Sequence, residues 1–371
     1  MFDALLRILA LTRKELLAVV KDPRSRATLF LPTLVQCLIY GYAATYDLNH
    51  VPYAVLDQDR SAASQELLAA LDGSGVFERV VNLHEAAELK RLVNDGRALL
   101  GIQIGQDFER RLQSGITADV QIIADGRNSN TAGIATGYVA NIVEEFNADW
   151  RTKHNLSPPA LRITRRAWYN PNLQTRWNMV PALLGTLSLI QVLLLTAMSV
   201  AREREQGTFD QLLVTPFTSA EIMAGKALPS AIIGVAQVTI VLLIAQFWFH
   251  IPFIGSFFTL YASLSLFILA AAGIGLMISA IASTMQQAML FNFLLVMPFT
   301  LLSGLTTPIS SMPKALQYFT LINPLRYAIE ISHRIYLEGA GFTLLWPELW
   351  PLMIIAAVTL TAASLMFRKS I

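Results

Sequence analysis

The charged and turn-forming residues with the clearest pattern lie in a polar insert, residues 202–226, between two long apolar runs. The insert begins Arg-Glu-Arg-Glu at 202–205, which extends the preceding helix, and Gly207 can end that helix in a left-handed conformation. Thr218 and Glu221 have the spacing of a capping box, which predicts the start of the next helix. These signals predict a structured surface rather than a plain connector.

The middle of the polar insert combines an acid, an apolar pair and a turn. Asp210 opens a predicted short helix in which Leu212 and Leu213 are exposed unless another surface covers them, and Pro216 then turns the chain. An exposed apolar pair between charged residues indicates a docking surface for another protein. A helical hairpin whose charges are merely solvated is the alternative.

The sequence predicts neither a catalytic site nor a metal site. No set of nucleophile, base and orienting group can be assembled from the sequence. Gly225-Lys226 is followed by Ala227 and has Ala220 where a phosphate-binding loop needs its first glycine. The histidines lack ligand spacing, and Asp59-Arg-Ser61 is better interpreted as a helix cap than as a metal loop. We therefore expect no catalytic residue, no metal and no bound cofactor.

Six apolar runs determine the structural class. Crossing a bilayer takes about 20 apolar residues of helix. The runs are approximately 27–46, 179–201, 227–249, 257–282, 288–306 and 346–367. With 54% hydrophobic and 15% charged residues, the chain is predicted to be an α-helical integral membrane protein with six transmembrane helices.

The basic residues near these runs predict the orientation. Basic residues cluster before the first apolar run, within the polar insert and at the C-terminus. If there are six spans, all three clusters fall on the same side of the membrane. That side is the cytoplasm, so both termini are expected inside, although Lys314, Arg326 and Arg334 weaken the pattern. The net charge of +2 gives no reason to expect nucleic acid.

The N-terminal residues 1–26 are predicted to form an amphipathic helix in the cytoplasmic interface. Its apolar face contains Leu5 and Leu9, whereas Arg7 and Lys14 lie opposite. The first transmembrane helix follows at 27–46. Residues 178–371 are expected to contain transmembrane helices 2–6.

Residues 47–177, between the first and second spans, are predicted to form an α/β extracytoplasmic domain. Short strands near 51–56, 76–81, 98–104 and 118–123 alternate with helices near 62–71, 85–93, 107–112 and 131–150. The segment is long enough to bury its own core.

The predicted spans contain no Lys, Arg, Asp or Glu near their centres. Ion-coupled carriers usually need such groups at membrane depth, so a secondary carrier is disfavoured. Gln36, Gln191 and Asn292 are neutral polar residues inside the runs. They are candidates for lining a pathway, and bonding between neighbouring helices is the alternative role.

Taken together, the polar insert resembles the cytoplasmic signature of the ABC-2 family of transport permeases. The motif is Arg-Glu-Arg-Glu-Gln-Gly-Thr-Phe-Asp-Gln-Leu-Leu-Val-Thr-Pro at 202–216, with Glu221 and Gly225-Lys226. Residues 303–327, which include Asn323-Pro324-Leu325, resemble the family motif after the fifth span. The resemblance covers nearly the whole chain and is closest to the bacterial drug-efflux branch. Phe209-Asp210 departs from the family pattern, which more often has an aliphatic residue followed by Glu. Asp210 keeps the acidic side chain.

The resemblance implies a permease subunit that pairs with a second copy or a paralogue and docks on a separate ATP-binding cassette ATPase, which binds ATP and Mg²⁺. It implies that 202–226 is the ATPase-coupling loop. The residues assigned to this contact are Arg202, Glu203, Arg204, Glu205, Gly207, Thr208, Asp210, Leu212, Leu213, Pro216 and Glu221.

The resemblance also implies a re-entrant outer segment at 307–341, near the exit of the pathway. Helices that only seal the dimer are the alternative. The residues assigned to the pathway or to this segment are Gln36, Gln191, Asn292, Ser303, Gly304, Pro308, Pro313, Pro324 and Tyr327.

The implied function is export of hydrophobic or amphipathic compounds such as drugs across the bacterial inner membrane. Export of lipids or lipid-linked substrates is one alternative, and a receptor with a periplasmic ligand-binding domain is another. Membrane lipid and a periplasmic adaptor protein are further candidate partners.

Overall fold

The computed structural model describes residues 2–42, 48, 50–127, 129–155, 169–170, 174–207 and 218–369. The chain forms two compact units. One comprises Tyr46–Arg166, here called the sheet unit, and the other comprises Met1–Thr45 with Ala167–Ile371, here called the helical unit.

The sheet unit alternates strands and helices. Its strands are β1 (Val51–Asp57), β2 (Phe77–Asn82), β3 (Leu100–Ile104) and β4 (Val120–Ala124), and its helices are α3 (Ala62–Gly73), α4 (Ala86–Asn94), α5 (Phe108–Gln113) and α6 (Ser129–Lys153). The strand order is β2-β1-β3-β4, with β1 parallel to both neighbours and β4 antiparallel to β3. The strands and helices lie at the predicted positions, with ends shifted by a few residues.

Local hydrogen bonds explain how the chain turns from β1 into α3. Asp57 Oδ1 accepts the amides of Asp59 and Arg60. Ser61 is the N-cap of α3, and its hydroxyl oxygen accepts the Ser64 amide at 3.1 Å. The predicted cap at Ser61 is confirmed.

The helical unit begins with α1 (Phe2–Lys21) and α2 (Pro23–Tyr42). After the sheet unit come α7 (Thr175–Glu205), α8 (Ser219–Leu243), α9 (Phe257–Ile281), α10 (Met285–Leu301), α11 (Lys314–Phe319), α12 (Pro324–His333) and α13 (Phe342–Lys369). Two π-helical turns, Ile244–Trp248 and Arg334–Glu338, continue α8 and α12. Helix α2 begins four residues before the predicted start of the first span at 27, and α7 begins before the predicted domain boundary at 177.

Four helices in the described part of the chain are long and apolar enough to cross a membrane. They are Thr175–Glu205, Ser219–Trp248, Phe257–Ile281 and Phe342–Arg368. Leu29–Tyr42 and Met285–Leu301 are shorter apolar helices. At 1.5 Å per residue, the 17 residues of α10 extend about 25 Å, slightly less than a typical hydrocarbon core. The count of six spans therefore stays a prediction.

Helix α7 lies at the centre of the helical unit, packed against α8, α9, α10 and α12. Glycines let the backbones approach closely. A Cβ atom on Gly234 of α8 would lie 2.6 Å from Val192, and one on Gly275 of α9 would clash with Thr196. Small residues at helix contacts are typical of membrane proteins.

The segment after α10 is broken into short pieces, as its prolines predict. Gly304 turns the chain with φ +92°, and a 3₁₀ turn at Ile309–Ser311 precedes α11. Asn323 caps α12, whose first residue is Pro324. Gly339 ends the segment in a left-handed conformation.

Candidate functional site

A buried cation at the end of the polar insert joins three helices. The side chain of Lys226 on α8 is fully buried, and its Nζ lies 2.8 Å from Oε2 of Glu203 on α7. Glu15 on α1 lies 3.7 Å from the same ammonium, and Nζ donates to the Ser199 hydroxyl at 3.3 Å. A buried charge is tolerated only when it is paired, so this contact fixes the relative positions of α1, α7 and α8.

A second ion pair holds α1 on the start of α8. Arg7 lies 2.6 Å from Glu221, whose other oxygen accepts the Thr218 amide. The Thr218 hydroxyl in turn accepts the Glu221 amide, so the predicted capping box is confirmed. Between the two ion pairs, Leu11 packs so closely on Gly225 that an added Cβ would lie 2.5 Å from it. Arg7, Leu11 and Glu15 recur every fourth residue and form the face of α1 toward α8.

The end of α7 also binds the turn between α9 and α10. Arg204 donates to the carbonyl oxygens of Ala280 and Ala282 at 3.0 and 3.2 Å. Glu205 accepts the backbone amide of Met285, the first residue of α10, at 2.9 Å. A cation at a helix C-terminus and an anion at a helix N-terminus both complement the helix dipole. One turn of α7 therefore contacts α8, α9 and α10 directly, and α1 through the Lys226 ammonium.

The structure separates the predicted coupling residues into two groups. Glu203, Arg204, Glu205 and Glu221 bind other parts of the same unit. Arg202 is exposed, and Gly207 is exposed with φ +69° just after α7, which confirms the predicted left-handed helix end. Thr208, Asp210, Leu212, Leu213 and Pro216 lie outside the described residues.

Four of the predicted pathway residues lie around one cavity. Ser303, Gly304, Pro308 and Tyr327 line a space of about 540 Å³ between the segment after α10, α12 and the start of α13. The Tyr327 hydroxyl donates to the Leu321 carbonyl oxygen at 2.9 Å, which fixes the ring at the cavity wall.

The remaining predicted pathway residues do not line this cavity. Gln191 and Asn292 are buried on α7 and α10, and Gln36 is half-buried on α2. Pro313 is the N-cap residue of α11, and Pro324 is the first residue of α12. In the described part of the chain, no group of three or more His, Cys, Asp or Glu residues is placed to hold a metal ion.

The sequence interpretation missed the partners of the coupling residues and the charges of the cavity. Arg7 is predicted on the polar side of an interfacial helix and Glu15 is given no role, and their four-residue spacing with Leu11 is the signal that indicates a packing face. Arg326, Glu330, His333 and Glu348 line the cavity. Arg326, Glu330 and His333 recur at helical spacing along α12, and this spacing is the signal that could have grouped them. Glu348 lies on α13 and meets them only in the folded unit.

Four candidate spans among the described helices define a polytopic membrane protein, and comparison with known proteins gives its family. A family model described as ABC-2 family transporter protein matches residues 25–365, so the chain belongs to the ABC-2 transporter family. Membership implies a separate ATP-binding subunit and pairing of permeases, and the membrane permease relatives and the apolar helices support a multi-pass inner membrane protein. The chain is a permease subunit of an ABC exporter.

Individual relatives align over nearly their whole length. The chain is 40% identical to the probable multidrug ABC transporter permease YbhR of Escherichia coli K12, over 98% of this chain and 99% of that protein. It is 30% identical to the inner membrane transport permease YhhJ of the same organism, over 96% of both chains. It is 27% identical to the linearmycin resistance permease protein LnrN of Bacillus subtilis, over 96% of this chain and 98% of that protein.

Proposed function

We propose that this permease exports hydrophobic or amphipathic compounds, drugs among them, and that residues 202–226 receive the movement of an ATP-binding subunit. The supporting observation is the attachment of the end of α7 to α8, α9 and α10 through Glu203, Arg204 and Glu205, and to α1 through the Lys226–Glu15 contact. A displacement of the polar insert is therefore transmitted to all of these helices. ATP and Mg²⁺ bind to the partner subunit in this proposal.

The two groups of coupling residues have different roles in this proposal. Arg202, Gly207 and residues 208–217 form the surface that contacts the ATP-binding subunit. Glu203 and Glu221 do not contact it, because their side chains are 11% and 9% exposed and already paired with Lys226 and Arg7. They transmit the movement inside the permease.

The proposed topology has six spans, with both termini in the cytoplasm. Helices α2 and α10 are the two shorter spans, and the sheet unit lies in the periplasm. In this arrangement the exposed side chains of Leu5, Leu9 and Val20 on α1 contact membrane lipid. The sheet unit is the surface that we assign to a periplasmic adaptor, and site-specific cross-linking that found no such contact would count against that assignment.

The cargo assignment is supported by the relatives and by the helices. YbhR is named a probable multidrug transporter permease, and LnrN is named for linearmycin resistance. The centres of the candidate spans are apolar, which suits hydrophobic and amphipathic cargo better than sugars or ions.

Leu212→Asp tests the docking surface. The variant should lower transported drug per ATP hydrolysed by about tenfold in vesicles that contain the permease and its ATP-binding subunit, because an anchoring apolar contact is worth about 1–3 kcal/mol. Ile116→Asp is the matched control, because Ile116 is 57% exposed on the sheet unit. Unchanged transport by Leu212→Asp would rule out this docking surface.

A further inference from the structure

The cavity that Tyr327 lines has the size and mixed lining of a small-molecule site. Its volume of about 540 Å³ lies within the range of about 300–1,000 Å³ found for ligand pockets. Leu305, Ile309 and Ile329 supply apolar walls, and Tyr327 supplies an aromatic face. Such walls suit the apolar body of an amphipathic molecule.

The carboxylate of Glu348 is only partly neutralised. Its Oε1 accepts from Arg334 at 3.1 Å, and the same guanidinium lies 3.5 Å from Glu338. The second oxygen of Glu348 is buried and has no hydrogen-bond partner within the described residues. A buried carboxylate oxygen without a donor leaves the negative charge of Glu348 incompletely compensated, which favours a cation in the neighbouring cavity.

Two further side chains give the cavity an excess of acceptors. Glu330 lines it and forms no ion pair with the described residues. His333 Nε2 lies 2.7 Å from the Asn178 carbonyl oxygen, so this nitrogen donates, and Nδ1 is an acceptor when the ring is neutral.

The cationic side chains around the cavity do not balance its carboxylates. Arg326 is bonded to the Thr320 hydroxyl at 2.5 Å and lies over the Tyr327 ring. The carboxylates in and next to the lining are those of Glu330, Glu338 and Glu348, and the guanidinium groups are those of Arg326 and Arg334. The local charge is therefore negative.

We propose that this cavity binds protonated amphipathic amines, with the ammonium group between Glu330 and Glu348 and the apolar body against Tyr327 and Ile329. An ammonium supplies the positive charge that the lining lacks and can donate hydrogen bonds to the exposed carboxylate of Glu330. The proposal rests on the proposed function, because it names a cargo class for a site within the exporter.

A binding measurement without ATP tests the site. The purified full-length permease in detergent is titrated with dansylcadaverine, a fluorescent primary amine, and with its neutral N-acetyl derivative. We expect the amine to bind about tenfold more tightly than the neutral compound, because a hydrogen bond to a charged group is worth about 1.5–3 kcal/mol. Glu330→Gln and Glu348→Gln should each reduce that preference to about threefold or less.

The control is Glu78→Gln, which removes the same charge from an exposed position on β2 of the sheet unit. It should keep the full preference. Glu330 is exposed, so its variant stays informative if Glu348→Gln fails to fold. Equal binding of the two probes by the wild type, or a preference that survives in Glu330→Gln, would overturn the proposal. Amine binding that persists in a permease without ATP-driven transport would overturn the proposed function instead.

Discussion

Replacing Lys226 by Met removes the cation that joins α1, α7 and α8 while keeping a side chain of similar length. Glu203 and Glu15, with side chains 11% and 23% exposed, then lose their common counter-ion. Breaking a buried ion pair on one side costs about 3–5 kcal/mol. Because Glu15 can still reach water, we expect about 3 kcal/mol for Lys226→Met.

The assay is thermal unfolding in detergent together with transported drug per ATP in vesicles. A loss of about 3 kcal/mol should lower Tm by roughly 6–12 °C. Lys226→Met/Glu203→Gln should recover about half of that loss, because the less exposed unpaired acid is removed. Lys226→Arg should keep transport per ATP close to wild type.

A merely structural role for Lys226 predicts a different pattern. Transport per ATP would then recover in step with Tm in the double variant. We expect it to stay low, because α7 and α8 are no longer joined by an ion pair. A Tm for Lys226→Met within about 1 °C of wild type, together with unchanged coupling, would refute the reasoning.

Three further substitutions test the fold. Ser61→Ala removes the cap of α3 and should destabilise that helix by about 1 kcal/mol, measured as faster amide exchange in α3. Gly275→Val should abolish folded permease on size-exclusion chromatography, because its side chain would clash with Thr196, whereas Gly133→Ala, which meets nothing within 4 Å, should not. Gly207→Ala should cost about 1 kcal/mol in unfolding free energy, because φ is +69° there.

Local signals in the sequence predict local structure well in this chain. The Thr218–Glu221 capping box, the Ser61 cap and the left-handed Gly207 depend on neighbours within a few residues, and all three are present. The strands and helices of the sheet unit are found at the predicted positions because alternating strand and helix patterns are strong over such short segments.

The roles of the charged residues could not be predicted in the same way. Glu203 and Lys226 are 23 positions apart in sequence, and Glu15 lies on a helix from the other end of the chain. The packing of α7 on α8, and of Leu11 on Gly225, brings these groups together. A solvated charge and a buried paired charge look identical in a single sequence.

The cavity illustrates a similar limit. Its residues Ser303, Gly304, Pro308 and Tyr327 were grouped by family resemblance, whereas Glu348 lies near the start of α13 and gave no signal of its own. Its proximity to Glu330 depends on how α12 packs against α13.

The most direct test of the central claim is drug uptake into inside-out vesicles that contain the permease with or without its ATP-binding subunit. Our account predicts uptake only when both the subunit and ATP are present, and loss of that uptake in Leu212→Asp. Uptake driven by an ion gradient in vesicles that lack the ATP-binding subunit would contradict it.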